Sequence, residues 1–119
     1  GPGNANVVNY ENTNLLNVFS LRINKAGTYF VSVMIGALQE GAANQCQDEY
    51  VLQHSESRAQ IAFSREVTET IGSAKTQTLA GSFFVSNQTD LLLTSIIFAG
   101  SPNTSTFLRN LNLNIVRLQ

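Results

Sequence analysis

Charge is scarce in this sequence of 119 residues: Asp, Glu, Lys and Arg together make up 13% of it, and the formal net charge is -1. A typical globular domain has about twice that share of charged residues. The basic residues are scattered along the chain, which excludes the basic stripe of a nucleic-acid-binding surface. We therefore expect no nucleic-acid partner.

Tryptophan is absent, and cysteine and histidine occur once each. A lone cysteine, Cys46, excludes an internal disulfide and a cysteine metal cluster, and its polar, glycine- and alanine-rich surroundings predict a thiol in a loop. His54 has no Gly-x-Ser-x-Gly motif to accompany it as a catalytic base. We interpret His54 as structural or exposed, with pH sensing as the alternative.

Long hydrophobic runs are also missing, since none approaches the roughly 20 residues that span a bilayer, and no signal peptide opens the sequence. We expect no membrane insertion. Residues 1–3 (Gly-Pro-Gly) are typical of an expression-tag remnant. Residues 4–119 are predicted to form a single domain, because this length and an apolar content of 43% suffice for one core.

The polarity of the chain comes from uncharged side chains, with 13 Asn, 8 Gln, 11 Ser and 10 Thr. Such a composition is typical of extracellular, fibre-like or adhesive proteins. Amides and hydroxyls suit the hydroxyl groups of sugars, because both donate and accept hydrogen bonds.

The longest stretch without charge is residues 26–38, which is rich in β-branched and aromatic residues and predicts a strand. By the two-residue period one face is apolar throughout, and the other adds further apolar area from Phe30, Met34 and Leu38. A strand that is apolar on both faces belongs in the middle of a packed sheet. The residues of the first face are Tyr29, Val31, Val33, Ile35 and Ala37.

Similar patterns predict strands over 15–23, 50–54, 58–67, 75–85, 91–99 and 107–118, and a short strand or arm over 4–14. The turn at 24–27 predicts a hairpin between the strands that flank it. In 58–67 the face with Ala59, Ile61 and Phe63 is expected to point inward. Gly81 predicts a bulge or a close backbone approach, and the slip in alternation after Ile115 predicts a bulge there.

About eight to ten strands with no helical period predict an all-β fold, a two-sheet antiparallel sandwich of jelly-roll type. An immunoglobulin-like arrangement is the alternative, but its usual core Trp and paired Cys are absent. Strands 26–38 and 91–99 are apolar on both faces, whereas a two-layer sandwich covers one face of each sheet. The surplus predicts burial between copies of the chain.

Several short motifs resemble the trimeric jelly-roll heads of the tumour necrosis factor and complement globular-head superfamily, in particular those at bacterial or phage fibre tips. Leu21, Gly27, Tyr29 and Val31 occupy the places of its aromatic-x5-Gly-x-Tyr-x-Phe pattern, with leucine and valine in place of two phenylalanines. Thr89-Asp90 before an apolar strand is similar to its Gly-Asp turn. The closing strand, residues 111–118, is similar to the terminal strand of those members, without their final Phe-Gly pair.

The resemblance implies a homotrimer, with its termini on the side of a stalk and loops at the far end that meet a partner. The predicted function is a non-catalytic binding head at the C-terminal tip of a trimeric fibre or adhesin, located extracellularly or on a virion or bacterial surface. It would contact a cell-surface receptor or a glycan. The alternatives are a structural module that trimerises and caps a fibre, and a cytokine-like signalling ligand.

The loops at 40–48 and 101–106 are predicted to form the binding surface, with 68–74 third, and Tyr10 or Tyr50 is expected to stack on a sugar ring if exposed. For the trimer interface we expect an apolar set from three strands. The row Asn110, Asn112 and Asn114 fits either solvent or a polar symmetry axis. The candidate binding residues are Gln45, Gln47, Asp48, Tyr50, Asn103 and Thr104, and the candidate interface residues are Phe83, Leu92, Leu111 and Leu113.

No catalytic residue, cofactor or metal ion is expected. The alternatives are a facing pair of carboxylates of glycosidase type and a calcium site at Asp48 and Glu49, which lacks the alternating acidic loop of a dedicated site.

Overall fold

The computed structural model of the protein describes residues 12–40, 46–68, 74–99 and 105–119, which form seven β-strands and no helix. The strands are β1 (Asn12–Ile23), β2 (Gly27–Glu40), β3 (Cys46–His54), β4 (Gln60–Thr68), β5 (Ala74–Val85), β6 (Thr89–Ala99) and β7 (Ser105–Arg117). They make two antiparallel sheets, a four-stranded sheet of order β1-β6-β3-β4 and a three-stranded sheet of order β5-β2-β7. The predicted all-β, two-sheet architecture is confirmed at this level.

The predicted hairpin across the turn at 24–27 is wrong. β1 pairs with β6, and β2 pairs with β5 and β7, so the turn carries the chain from one sheet to the other. Gly27 makes this possible with a φ of 153°, a conformation that side-chain-bearing residues rarely adopt. β1 and β2 therefore lie in opposite layers of the sandwich instead of side by side.

The core lies between the sheets and is built on one of the two apolar faces of β2, the face of Val31, Val33 and Ile35. Val31 and Val33 have no exposed surface, and neither do Leu91 and Leu93 opposite them on β6. Burying each such side chain contributes about 1.5–3 kcal/mol. Other members of the cluster are Tyr29, Ile35, Tyr50, Leu52, Leu79, Phe83 and Val85.

In β4 the predicted faces are reversed. Ala62 is buried and Ser64 is half-buried, whereas Phe63 is 41% exposed. The register shifts where Leu52 pairs with Ala62 and Gln53 with Gln60, so that Ile61 is an extra residue. This bulge lets Ile61 pack on the core while the regular alternation after it turns Phe63 outward. β4 is an edge strand, so local pattern alone did not fix its faces.

Gly81 marks the side on which the two sheets close. A Cβ at this position would lie 2.6 Å from the carbonyl oxygen of Ile61 on β4, so the predicted close backbone approach is confirmed, while the register of β5 with β2 is unbroken there. Polar contacts join the same two strands, since the Ser64 hydroxyl bonds the Gln77 side-chain oxygen at 3.1 Å and Lys75 Nζ lies 3.4 Å from Glu66 Oε1.

The opposite side, between β1 and β7, is open. Leu111 and Leu113 pair with the fully buried Ile35 and Val33 and share their inward face, yet they are 41% and 36% exposed. Leu16 on β1 is likewise exposed. β7 has no second strand partner among the described residues.

The predicted bulge after Ile115 is also misplaced. Val116 and Arg117 continue the regular pairing with Phe30 and Tyr29, and the register shifts instead near the start of β7, between Gly36 and Ala37 of its partner β2. Val116 therefore faces outward, whereas Arg117 reaches the turn before β2, where its Nη2 donates to the carbonyl oxygen of Ala26 at 2.9 Å.

Candidate functional site

The predicted binding residues do not form one exposed cluster among the described residues. Tyr10, Gln45, Asn103 and Thr104 lie outside the described ranges. Gln47 is half-buried, and its side-chain nitrogen donates to Glu49 Oε1 at 3.2 Å. Asp48 is 2% exposed, and Tyr50 has no exposed surface.

Tyr50 therefore offers no stacking platform for a sugar. It points into the core opposite Ser95 of β6, and among the described residues its hydroxyl has no hydrogen-bond partner. Burial raises the pKa of the Tyr50 phenol, the Asp48 carboxylate raises it further, and the nearby Ser95 hydroxyl opposes the rise. Cys46 is buried beside it, contrary to the predicted loop thiol, with its Sγ donating to Asp48 Oδ1 at 3.7 Å.

The calcium alternative at Asp48 and Glu49 is not supported by their placement. Neighbours on a strand point to opposite faces, and here Asp48 faces the core while Glu49 lies on the outer face, 2.5 Å from Arg65 Nε. Among the described residues no group of three or more His, Cys, Asp or Glu is placed to hold a metal ion.

A shallow pocket of about 590 Å³ lies at the end of the sandwich that carries the turns 24–26, 55–59 and 86–88. Arg22 and Asp90 pair across its rim at 2.9 Å, and the Arg22 hydrogen bond holds the pKa of the Asp90 carboxyl below its usual range. His54 lies with its ring edge-on to Phe83, at 6.2 Å between centroids. Within the described residues, no hydrogen bond joins the His54 side chain to Ser55 or Ser57. The remaining lining residues are Glu56, Gln88 and Thr89.

The outer face of the β5-β2-β7 sheet has a different chemistry, and we refer to it as the uncharged face. Cross-strand pairing aligns Ser82 with Phe30 and Val116, and Thr78 with Met34 and Asn112. Phe30, Met34 and Val116 are 42%, 47% and 56% exposed. No charged residue occupies the outward positions from Thr28 to Leu38 of β2 and the positions paired with them, and the next outward position of β2 is Glu40, which pairs with Ser105. The uncharged positions are Thr76, Thr78, Ala80, Ser82 and Phe84 of β5, Thr28, Phe30, Ser32, Met34, Gly36 and Leu38 of β2, and Phe107, Asn110, Asn112, Asn114 and Val116 of β7.

The outer face of the four-stranded sheet provides a contrast within the same molecule. It carries the cross-strand pairs Arg22–Asp90 and Arg65–Glu49, and Arg65 also lies over the ring of Phe63, 5.3 Å from its centroid. The same face also carries apolar positions, of which Leu92 is 9% exposed and Phe63 is 41% exposed. Among the described residues, such ion pairs therefore occur on this outer face and not on the uncharged face.

The predicted interface residues fall in three different places. Phe83 is a core residue stacked on Tyr29, with ring centroids 5.4 Å apart, so it is not available for contact between copies. Leu92 is 9% exposed. Leu111 and Leu113 are exposed at the open side of the sandwich. Two features of the sequence indicated the uncharged face: the second apolar face of β2 and the asparagine row of β7. Phe84, which is 65% exposed on this face, was not among the predicted interface residues.

No protein-family model matches the chain, and neither does any curated protein sequence. Within the described ranges, no helix has the length and apolar character that crossing a membrane requires.

Proposed function

We propose that this protein is a non-catalytic head domain that assembles as a homotrimer through the uncharged face, at the tip of an extracellular fibre or adhesin, and presents its loop end to a receptor or glycan. The observation that carries the proposal is the uncharged face itself. An exposed apolar surface that spans three strands is typical of an interaction site.

A second copy of the chain suits this face better than an unrelated partner. In a cyclic trimer the contacting surfaces of two copies differ, but residues close to the rotation axis meet their own equivalents. Any charge close to the axis would therefore face an identical charge. Like charges in contact across an interface cost several kcal/mol, on the order of 3 or more. A face of apolar, hydroxyl and amide groups avoids that repulsion.

The strand pairing supports a jelly roll, as the resemblance to the tumour necrosis factor and complement heads implies. The pairs β1 with β6, β2 with β5 and β3 with β4 are nested within one another, as in an antiparallel ribbon folded over on itself. β7 lies outside these nested pairs and is bonded to β2.

The oligomeric state tests the proposal. Sedimentation equilibrium of the full chain at micromolar concentration should give the mass of three copies, because an apolar interface of standard size is stable there. Phe30→Asp should give a folded monomer. The matched control is Phe63→Asp. Phe63 is 41% exposed against 42% for Phe30, but it lies on the outer face of the four-stranded sheet, which carries the Arg65–Glu49 pair. A monomeric wild type, or equal effects of the two variants, would contradict the proposal.

The binding role is tested separately, with the trimer applied to a glycan array and to intact cells. Binding that is lost on substitution of loop-end residues such as Asn103 or Thr104, with the trimer intact, supports a receptor- or glycan-binding head. The burial of Asp48 and Tyr50 removes two of the predicted binding residues from the surface. This observation supports the alternative, a module that trimerises and caps a fibre. That role predicts assembly without any ligand.

A further inference from the structure

Three asparagines form a straight row on the uncharged face. Asn110, Asn112 and Asn114 alternate along β7 and pair across to Gly36, Met34 and Ser32 of β2. The row is bounded on the same strand by Phe107 and Val116, which are 49% and 56% exposed. A partner that covers these apolar residues must also cover the amides between them.

Within the described chain no hydrogen bond engages the side chains of these asparagines, and all three are exposed. Asn110 lies over Gly36, since a Cβ built at Gly36 would meet Asn110 Oδ1 at 2.5 Å. Asn112 and Asn114 have no such glycine opposite them. A buried amide without partners costs about 1–3 kcal/mol, so whatever covers this row must supply both donors and acceptors.

The geometry points to this row as the symmetry axis of the homotrimer, an inference that rests on the function proposed above. Each asparagine offers N–H donors and a carbonyl acceptor, so three copies of one residue around an axis can close a ring in which each amide donates to the next. When the partners carry the same row, symmetry gives every amide a donor and an acceptor. Because the asparagines alternate along β7, each would form its own ring, and the three rings would lie one above another along the axis. Amide rings inside an apolar interface would fix the number of copies and their register, as a buried polar residue does in coiled coils.

Asn112→Asp in the full chain tests the position of the axis, with Asn87→Asp in an exposed turn as the matched control. At about pH 8 three carboxylates would meet at the axis, and association should weaken at least about a hundredfold. At about pH 4 protonation should restore much of it, because clustered carboxylates have raised pKa values. Sedimentation equilibrium at both pH values, with circular dichroism to confirm folding, gives the result.

Asn112→Leu provides a second measurement that introduces no charge. Removing the ring while keeping the apolar contact should preserve association but give a mixture of stoichiometries in native mass spectrometry. If the wild type is trimeric and Asn112→Asp associates like Asn87→Asp at both pH values, the axis lies elsewhere and this inference fails while the trimer stands. If the wild type is monomeric, it is the proposed function that fails.

Discussion

At the scale of single residues, two glycines stand where neighbouring groups leave no room for a side chain. Gly81 lets the backbones of β4 and β5 approach on the closed side of the sandwich, whereas Gly36 makes room for the side chain of Asn110. The two glycines thus differ in what an added methyl group would meet: a backbone carbonyl in one case and the end of an exposed side chain in the other.

Gly81→Ala should therefore destabilise the fold by about 1–3 kcal/mol, the usual cost of overpacking a rigid contact. Gly36→Ala should cost less than about 1 kcal/mol, because the Asn110 amide can rotate away. Urea unfolding of both variants measures the difference in free energy. Equal losses would show that the Ile61 carbonyl yields as easily as an asparagine side chain.

The Tyr50 phenol gives the protein a predicted alkaline weakness. Burial raises its pKa in the folded chain, while in the unfolded chain it ionises near about pH 10. Above that pH the unfolded state releases a proton that the folded state retains, so stability should fall by up to about 1.4 kcal/mol per pH unit.

Tyr50→Phe should remove this part of the pH dependence. Below pH 10 it should be neutral or slightly stabilising, by up to about 1 kcal/mol, because the buried hydroxyl it deletes lacks a hydrogen bond. Urea titrations at a series of pH values measure both effects. Tyr29→Phe is the control, because it deletes a hydroxyl that does have a partner: the Tyr29 hydroxyl donates to the Lys25 carbonyl oxygen at 2.7 Å. This variant should therefore lose stability below pH 10. An unchanged alkaline slope in Tyr50→Phe would refute the assignment.

At the scale of elements, β7 is the strand with the least cover and depends on contacts at its end. Arg117 donates from Nη2 and Nε to the Ala26 carbonyl oxygen, at 2.9 and 3.3 Å. Backbone bonds continue the pairing beyond the strand, from Leu118 N to Thr28 O at 2.7 Å and from Thr28 N to Gln119 O at 2.9 Å. These contacts tie β7 to the turn that joins the two sheets.

Arg117→Met should destabilise the chain by about 1 kcal/mol, since a charge-assisted hydrogen bond is lost from an exposed site. Arg109→Met on the same strand is the matched control, because Arg109 makes no side-chain hydrogen bond or ion pair within the described residues. Thermal unfolding of the pair under identical conditions measures the difference. Equal melting temperatures would mean that the Ala26 contact adds nothing.

At the scale of the whole molecule, the two outer faces differ in charge although both cover the same core. One carries the ion pairs Arg22–Asp90 and Arg65–Glu49, and the other, the uncharged face, is the one that we propose to contact another copy of the chain. Stability and assembly should therefore be linked, because an interface that forms only between folded chains stabilises the folded state by mass action.

The thermal midpoint of the wild type should accordingly rise with protein concentration, while that of Phe30→Asp should be independent of it. Differential scanning calorimetry over a hundredfold range of concentration makes the comparison, with Phe63→Asp expected to behave like the wild type. A thermal midpoint of the wild type that does not change with protein concentration would contradict the expected link between stability and assembly.

The sequence by itself determined the all-β class, most strand positions and the close approach at Gly81. These follow from side-chain alternation and from glycine, both of which act within a few residues of the chain. It also indicated the second apolar face of β2 and the asparagine row, from which the uncharged face is built.

Only the tertiary structure decided which strands pair and which edges are covered. β1 and β2 are joined by a short turn yet lie in different sheets, because each buries its apolar face best against the other layer. The same long-range packing turned Phe63 outward and buried Tyr50 and Asp48. It also paired Phe84 of β5 with Thr28, on the outer face of β2. Side-chain alternation records that a strand has two faces, but which one is buried depends on neighbours that are distant in sequence.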